Sequence, residues 1–313
     1  MGVRGLIVAA ALTVFVGLVA GYVITMPAAL SETAWSGLGE GDVRKGETLF
    51  WAGGCASCHA APDSEADALY ELSGGLALET PYGVFHVPNI SSDPDAGLGN
   101  WSLADFGHAM VEGVGPDGQH LYPSFPYASY ARMTRSDIND LWAFLKTLPA
   151  SDRPSQDHDL MFPYSIRMGI GVWKAFYLDP DPVIVMDDSD PVLVRGRYLA
   201  EGPGHCGECH TPRDWLGGMK RDMWFAGAPN PEGEGVIPNI TPGGAIADWP
   251  LSDIVYYFES GFTPEFDVVG GSMAKVQRNL ARLDAGDREA IAAYLKTLPA
   301  RENGYPSSRP SGS

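Results

Sequence analysis

Basic residues are scarce in this sequence: 21 Lys and Arg stand against 39 Asp and Glu, a formal charge of −18. A protein that grips phosphate needs a basic face, so nucleic-acid binding is excluded and a basic or neutral partner is expected. Cysteine is scarce as well, with four in 313 residues. At about 150 residues per domain that length predicts two domains with cores of their own, which excludes a disulfide-stapled miniprotein. Disorder is excluded too, because the hydrophobic fraction of 45% and charged fraction of 19% are ordinary for globular proteins. The 38 Gly and 25 Pro then point to domains rich in loops.

Long apolar runs are lacking everywhere but at the N-terminus, where Gly5 to Met26 carries no charge over 22 residues. That is enough helix to cross a bilayer. The run ends at Pro27 with no small-x-small cleavage site, so residues 1–30 read as an uncleaved anchor, with a cleaved signal peptide as the alternative. Arg4 marks the cytoplasmic side, which sends everything after Pro27 across the membrane. The expected location is the inner membrane, with the soluble part in the periplasm. Ser31 to Gly41 reads as a short tether.

All four cysteines fall in two pairs, each closed by a histidine: Cys55-Ala56-Ser57-Cys58-His59 and Cys206-Gly207-Glu208-Cys209-His210. C-x-x-C-H twice reads as c-type haem attachment. Two thiols three residues apart on a helical turn can form thioethers with the two vinyl groups, and the next histidine lies under the iron. Cys55, Cys58, Cys206 and Cys209 are thus the expected attachments of two haem c groups, with His59 and His210 as axial ligands. A thioredoxin-like dithiol or half of a zinc site competes for one copy, and duplication counts against both.

The duplication extends well beyond the cysteines. Cys55 and Cys206 stand 151 residues apart, and Val87-Pro88-Asn89-Ile90 recurs as Ile237-Pro238-Asn239-Ile240 at 150. Trp101-Ser102-Leu103-Ala104-Asp105 recurs as Trp249-Pro250-Leu251-Ser252-Asp253 at 148, and Leu145-Lys146-Thr147-Leu148-Pro149-Ala150 returns unchanged at Leu295 to Ala300. Each copy predicts a helix from near Asp42 or Pro191 into the haem motif and a second helix after the tryptophan (102–112; 251–260). A closing helix (135–148; 286–298) follows, its buried stripe formed by Ile138, Leu141, Trp142 and Leu145 at three-four spacing. No run demands a sheet, so the expected fold is all-α. The expected domains are 37–150 and 191–301, with a linker at 151–190 and a disordered tail at 302–313. The linker carries one short apolar helix, 165–177, which either packs across the two domains or lies on the membrane surface.

This organisation resembles the membrane-anchored dihaem cytochromes c related to the cytochrome c subunits of periplasmic alcohol and sugar dehydrogenases. The residues that carry the likeness are the two C-x-x-C-H motifs, the two Pro-Asn-Ile segments, His120-Leu121-Tyr122-Pro123-Ser124-Phe125-Pro126-Tyr127 and Gly202-Pro203-Gly204-His205-Cys206. The resemblance implies two tandem class I cytochrome c domains after a transmembrane helix. It also implies a distal methionine, whose soft thioether favours ferrous iron. Met273 in Gly270-Gly271-Ser272-Met273 stands where the family places it. In the first copy, an offset of 148 with no gap puts Phe125 there, and phenylalanine cannot bind iron. Met133 is the first candidate in its place; Met110, His120, His108 and an open iron are the alternatives. His86, His158 and His205 read as structural. Trp101, Trp249, Asn89 and Asn239 recur at matched positions, where their N–H groups suit haem propionates; a tryptophan core anchor and an asparagine turn are the alternatives.

The leading functional expectation is an electron relay in a respiratory chain. A dehydrogenase or quinol-oxidising donor would feed it, and a soluble cytochrome or terminal oxidase would drain it. Residues 37–150 carry 15 acidic and 5 basic side chains against 14 and 11 in 191–301, so the first domain is expected to dock the more basic partner. Two other readings compete: a dihaem redox enzyme, peroxidase-like or sulfur-oxidising, with an open or unusual haem 1, and a haem-containing assembly or structural subunit of a respiratory complex.

Overall fold

The computed structural model describes residues 2–302, 304 and 305, apart from positions 29, 232 and 234. The tail expected at 302–313 therefore lies almost wholly outside the described residues. The chain opens with α1 (Val3–Thr25), whose apolar stretch Val3–Val23 spans 21 residues at a mean hydropathy of 2.5 and is not buried against the rest.

After a 3-10 turn at Glu32–Trp35 come α2 (Val43–Ala52), α3 (Cys55–His59), the strands β1 (Ala77–Thr80) and β2 (Gly83–His86), α4 (Leu103–Glu112), α5 (Tyr127–Tyr130) and α6 (Arg135–Leu145). The linker contributes β3 (Asp159–Leu160) and α7 (Gly169–Tyr177). Then follow α8 (Pro191–Glu201), α9 (Gly207–His210), β4 (Ala228–Pro229), β5 (Val236–Ile237), α10 (Leu251–Ser260), α11 (Met273–Leu280) and α12 (Ala285–Thr297). Helices α2 to α6 are echoed by α8 to α12.

Local chemistry explains where these helices start. Asp42 caps α2 by accepting from the Arg44 and Lys45 amides, and Asp190 caps α8 in the same way through Val192 and Leu193. Ser102 and Asp105 form a reciprocal capping box at α4. Gly113 and Gly261, in left-handed conformation, end α4 and α10.

The first and last helices of each set cross without room for a side chain between them. A methyl group on Gly46 would stand 2.0 Å from the Asp140 carbonyl oxygen, and one on Gly196 would stand 1.9 Å from that of Ala290. Glycine therefore sets the α2–α6 and α8–α12 crossings. Around each crossing the residues with the right spacing are buried, Leu49, Phe50, Phe144 and Leu145 in one and Leu199, Tyr294 and Leu295 in the other. Removing each such side chain from water contributes about 1.5–3 kcal/mol.

The fold is mostly helical, and it departs from the all-α expectation at two antiparallel ribbons. In one, β1 pairs with β2 (Ala77 opposite His86) and β2 with β3 (Gly83 opposite Leu160). Its turn is held by Thr80, whose hydroxyl accepts from the Tyr82 amide and donates to the Gly83 carbonyl. The other pairs β4 with β5. The linker helix is shorter than expected and joins both sets: Trp173 meets Tyr127 edge-on at 6.1 Å, and Tyr177 donates to Asp214 at 2.7 Å. It also meets α1, since a methyl group on Gly171 would stand 2.6 Å from the Thr25 Cα.

Candidate functional site

Each C-x-x-C-H motif sits on one turn of helix at the end of a glycine-rich bend. Gly54, at φ +60°, swings the chain from α2 into α3; in the second set His205, at φ +38°, makes the equivalent bend before Cys206. The histidines then fall in the same place. The Nδ1–H of His59 donates to the Pro88 carbonyl at 2.9 Å, and that of His210 to the Pro238 carbonyl at 2.8 Å. A carbonyl only accepts, so Nδ1 must hold the proton and Nε2 keeps its lone pair for a metal. Burial holds both imidazoles below the ordinary histidine range, partly offset by those same bonds, which favours the neutral ring that a metal requires.

The thiols are not joined in disulfides. Burial pushes Cys55 and Cys206 up to about 12, with the neighbouring cysteine adding to the effect. Before any attachment both would be protonated at neutral pH, unlike the activated cysteine of a redox dithiol. Among the described residues no group of three or more His, Cys, Asp and Glu side chains could hold a metal ion, so the motifs do not pool into a zinc site.

The Pro-Asn-Ile segments prove to be the struts of these sites. Asn89 donates to the Ser151 and Arg153 carbonyls at 2.8 and 2.9 Å and accepts from the Ser91 amide at 2.8 Å. Asn239 donates to the Arg301 carbonyl at 2.7 Å and accepts from Thr241 at 2.9 Å. The loop that supplies the histidine's acceptor is thus tied to the chain just beyond the closing helix. The Asn89 amide thus bonds two carbonyls, and each asparagine also accepts from an amide two residues on, as in a turn. Trp101 and Trp249 are half-buried, Trp249 lying edge-on to Tyr257 at 5.6 Å. The proline carbonyls escaped the sequence analysis, although the repeated Pro-Asn-Ile was their signal.

Met273, expected as a distal ligand, is the first residue of α11, half-buried at the edge of the core after Gly271 at φ +57°. Phe125 packs edge-on against Tyr127 and Tyr130 at 6.4 and 5.6 Å. The backbone pairing changes register here. Val114 bridges His120 as Phe262 bridges Val268, an offset of 148; yet Ala131 bonds back to Tyr127 as Ala281 does to Gln277, an offset of 150. The second copy holds two extra residues between these points, so the ungapped match of Phe125 to Met273 is one of two registers. The later register puts Met133 on Leu283, and both are buried, at 6% and 3% exposure.

Of the two histidines weighed as ligands, His120 and His108, the first has other work. His120 donates from Nε2 to the Thr25 carbonyl at 2.8 Å and accepts at Nδ1 from Lys174 Nζ at 3.0 Å, leaving no lone pair for iron. His158 Nδ1 accepts from the His86 amide at 3.2 Å, a structural role. His108 lies against the Trp35 ring at 6.1 Å, and Met110 is buried in α4.

Each motif meets the opposite set of helices. Ser57, inside the first, accepts from the Asn279 amide at 2.8 Å, and Glu208, inside the second, accepts from the Ser129 hydroxyl at 2.8 Å. Ser57 and Glu208 are equivalent positions, as are Ser129 and Asn279, so one contact is made twice, as across a two-fold axis. His205 adds a bond from Nε2 to the Gly53 carbonyl at 3.2 Å.

Residues 43–149 match the cytochrome c family model. Over 96% of its length the chain is 52% identical to a dihaem c-type cytochrome of Cereibacter sphaeroides, 99% of which is covered. The chain belongs to the dihaem c-type cytochromes. It is also 35% identical to the fructose dehydrogenase cytochrome subunit of Gluconobacter japonicus, over 83% of this chain and 53% of the relative. To the cytochrome c subunit of a quinone-dependent alcohol dehydrogenase from Gluconacetobacter polyoxogenes it is 33% identical, over 82% of this chain and 56% of the relative. It spans about half the length of these two dehydrogenase subunits.

A c-type cytochrome carries covalently bound haem, and the residues here fit it. Two neutral imidazoles offer Nε2, each with a pair of thiols on the same helical turn. A haem cytochrome related to electron-transfer subunits needs rigid ligands so that little rearrangement accompanies each electron, and the proline carbonyls supply that rigidity.

Proposed function

We propose that this dihaem cytochrome is a membrane-anchored, periplasmic electron relay built from two tandem class I domains, 37–150 and 191–301, fixed to the inner membrane by α1. Its donor is a dehydrogenase or quinol-oxidising protein and its acceptor a soluble cytochrome or terminal oxidase. The supporting observation is the doubled contact between Ser57 and Asn279 and between Ser129 and Glu208, which sets each attachment turn against a helix of the other set. Bound haem iron supplies a one-electron couple. Cys55, Cys58, Cys206 and Cys209 hold the two groups; His59 and His210 bind from the proximal side; Trp101 and Trp249 supply indole N–H donors for propionates.

For the distal side we assign Met273 in the second domain and Met133 in the first. Electron paramagnetic resonance and near-infrared magnetic circular dichroism on the full chain in detergent test both. The expected ferric spectrum contains two low-spin His/Met centres, one abolished by Met273→Ala and the other by Met133→Leu. The leucine variant discriminates because Leu283 fills the equivalent core position, so packing survives at a cost under about 1.5 kcal/mol while the thioether is lost. Unchanged ligation in Met133→Leu, with a high-spin first centre, would sink the assignment and favour the second reading, a redox enzyme open at haem 1. Phe125 is the observation behind that reading.

A further inference from the structure

The linker between the two sets exposes an apolar surface out of keeping with an acidic protein. Phe162 is 81% exposed and Phe176 70%, and Met161, Tyr164, Ile166, Met168 and Val172 are all exposed beside them. Along α7 and its N-cap the large exposed apolar residues fall at four-residue spacing, Met168, Val172 and Phe176, so they share one face, whereas Trp173 and Tyr177 pack inward. The patch continues onto the second set. The Tyr82 ring lies tilted against that of Tyr164 at 4.7 Å, and a methyl group on Gly217 would lie 3.5 Å from the Tyr82 hydroxyl, which brings Trp215, 88% exposed, and Leu216 alongside. Soluble proteins rarely leave apolar surface of this extent open to water.

Its position relative to α1 indicates what covers it. The end of α1 is fastened to the body through Gly171 against Thr25 and through the His120–Thr25 bond, and the segment after it through Glu112, which accepts from the Leu30 amide at 2.7 Å. The 21-residue apolar stretch is about as long as the hydrocarbon core is thick, so the patch that starts at its end lies at the level of the headgroups. Residues 161–178 contain Arg167 and Lys174 and no acidic residue, in a chain of charge −18. A negatively charged surface is therefore not repelled there, and exposed Trp and Tyr side chains suit the membrane interface.

We infer that the face formed by 161–176, Tyr82 and Trp215-Leu216 rests in the headgroup region of the bilayer, so that both haem domains lie along the membrane on a second contact rather than hanging from a flexible stalk. This rests on the reading of α1 as an anchor. The test places a spin label at one position at a time, through Phe162→Cys, Trp215→Cys, Val185→Cys and Val14→Cys, in the full chain in nanodiscs containing anionic lipid. Each replaced side chain is at least 62% exposed, so no core is disturbed. With the haems reduced, collision with oxygen is compared with collision with a water-soluble nickel chelate. The expected result is lipid-like accessibility at Phe162, Trp215 and Val14 and water-like accessibility at Val185, which is 92% exposed and outside the patch. Water-like values at Phe162 and Trp215 with a lipid-like Val14 would overturn the second contact and leave the anchor standing, as would protection at Phe162 and Trp215 that requires an added partner protein. A water-like Val14 would instead overturn the anchor.

Discussion

Glu201 illustrates how a single buried carboxylate can organise a chain. Almost fully buried, it accepts from the amides of Val183 and Ile184 at 2.7 and 3.1 Å and from the Tyr294 hydroxyl at 2.5 Å. It thereby pins the end of the linker to α8 and α12. Glu201→Ala leaves three donors unpaired in the core and is expected to cost about 2–5 kcal/mol, read as a lower urea midpoint with an unchanged slope. No sequence pattern announced this residue, since one glutamate among 39 acidic side chains carries no mark of burial. The C-x-x-C-H motifs were legible because their chemistry is set by spacing within five residues. The proline carbonyls were not, because a backbone acceptor looks the same beside every side chain. Asn89 was legible as one of a matched pair, whereas the carbonyls it ties were not, since a propionate and a carbonyl both ask for an N–H.

Among the elements, the helices were readable from their periodicity and caps, whereas β1 and β2, four residues each, are too short for alternation to stand out. The crossings at Gly46 and Gly196 give a matched prediction. Gly46→Ala and Gly196→Ala each drive a methyl group into a backbone carbonyl, and each is expected to cost at least about 1–3 kcal/mol, measured by thermal unfolding of the holoprotein. The docking of α7 supplies a pH effect. Burial, partly offset by Glu112, lowers Lys174 from 10.5 to about 8, and its ammonium faces the Gly113 carbonyl and the neutral His120. Between these two values the unfolded chain holds a proton that the folded chain has released, so stability rises with pH from about 8 to about 10.5. Lys174→Met is expected to flatten that rise in denaturation midpoints taken across the window.

At the scale of the whole molecule, charge is unevenly shared, with a net of −10 over residues 37–150 and −3 over 191–301. Electron exchange with a lysine-rich soluble redox protein is expected to slow by about tenfold between low and physiological salt, in stopped-flow traces followed through the haem bands. Neutralising acidic positions of the first set should weaken that dependence more than the same number of changes in the second. The duplication was plain in the sequence, but the way its halves face each other was not, because Ser57, Ser129, Glu208 and Asn279 are ordinary polar residues until the fold joins them. Their pairing has an evolutionary consequence. In a dimer of identical chains, any change on one side of such an axis appears on the other as well. Fusion of the halves lifts that constraint, and the drift is visible: serine faces asparagine at one end of the axis, and glutamate faces serine at the other. Each half can thus be tuned on its own, which lets a molecule of repeated parts acquire an upstream and a downstream end.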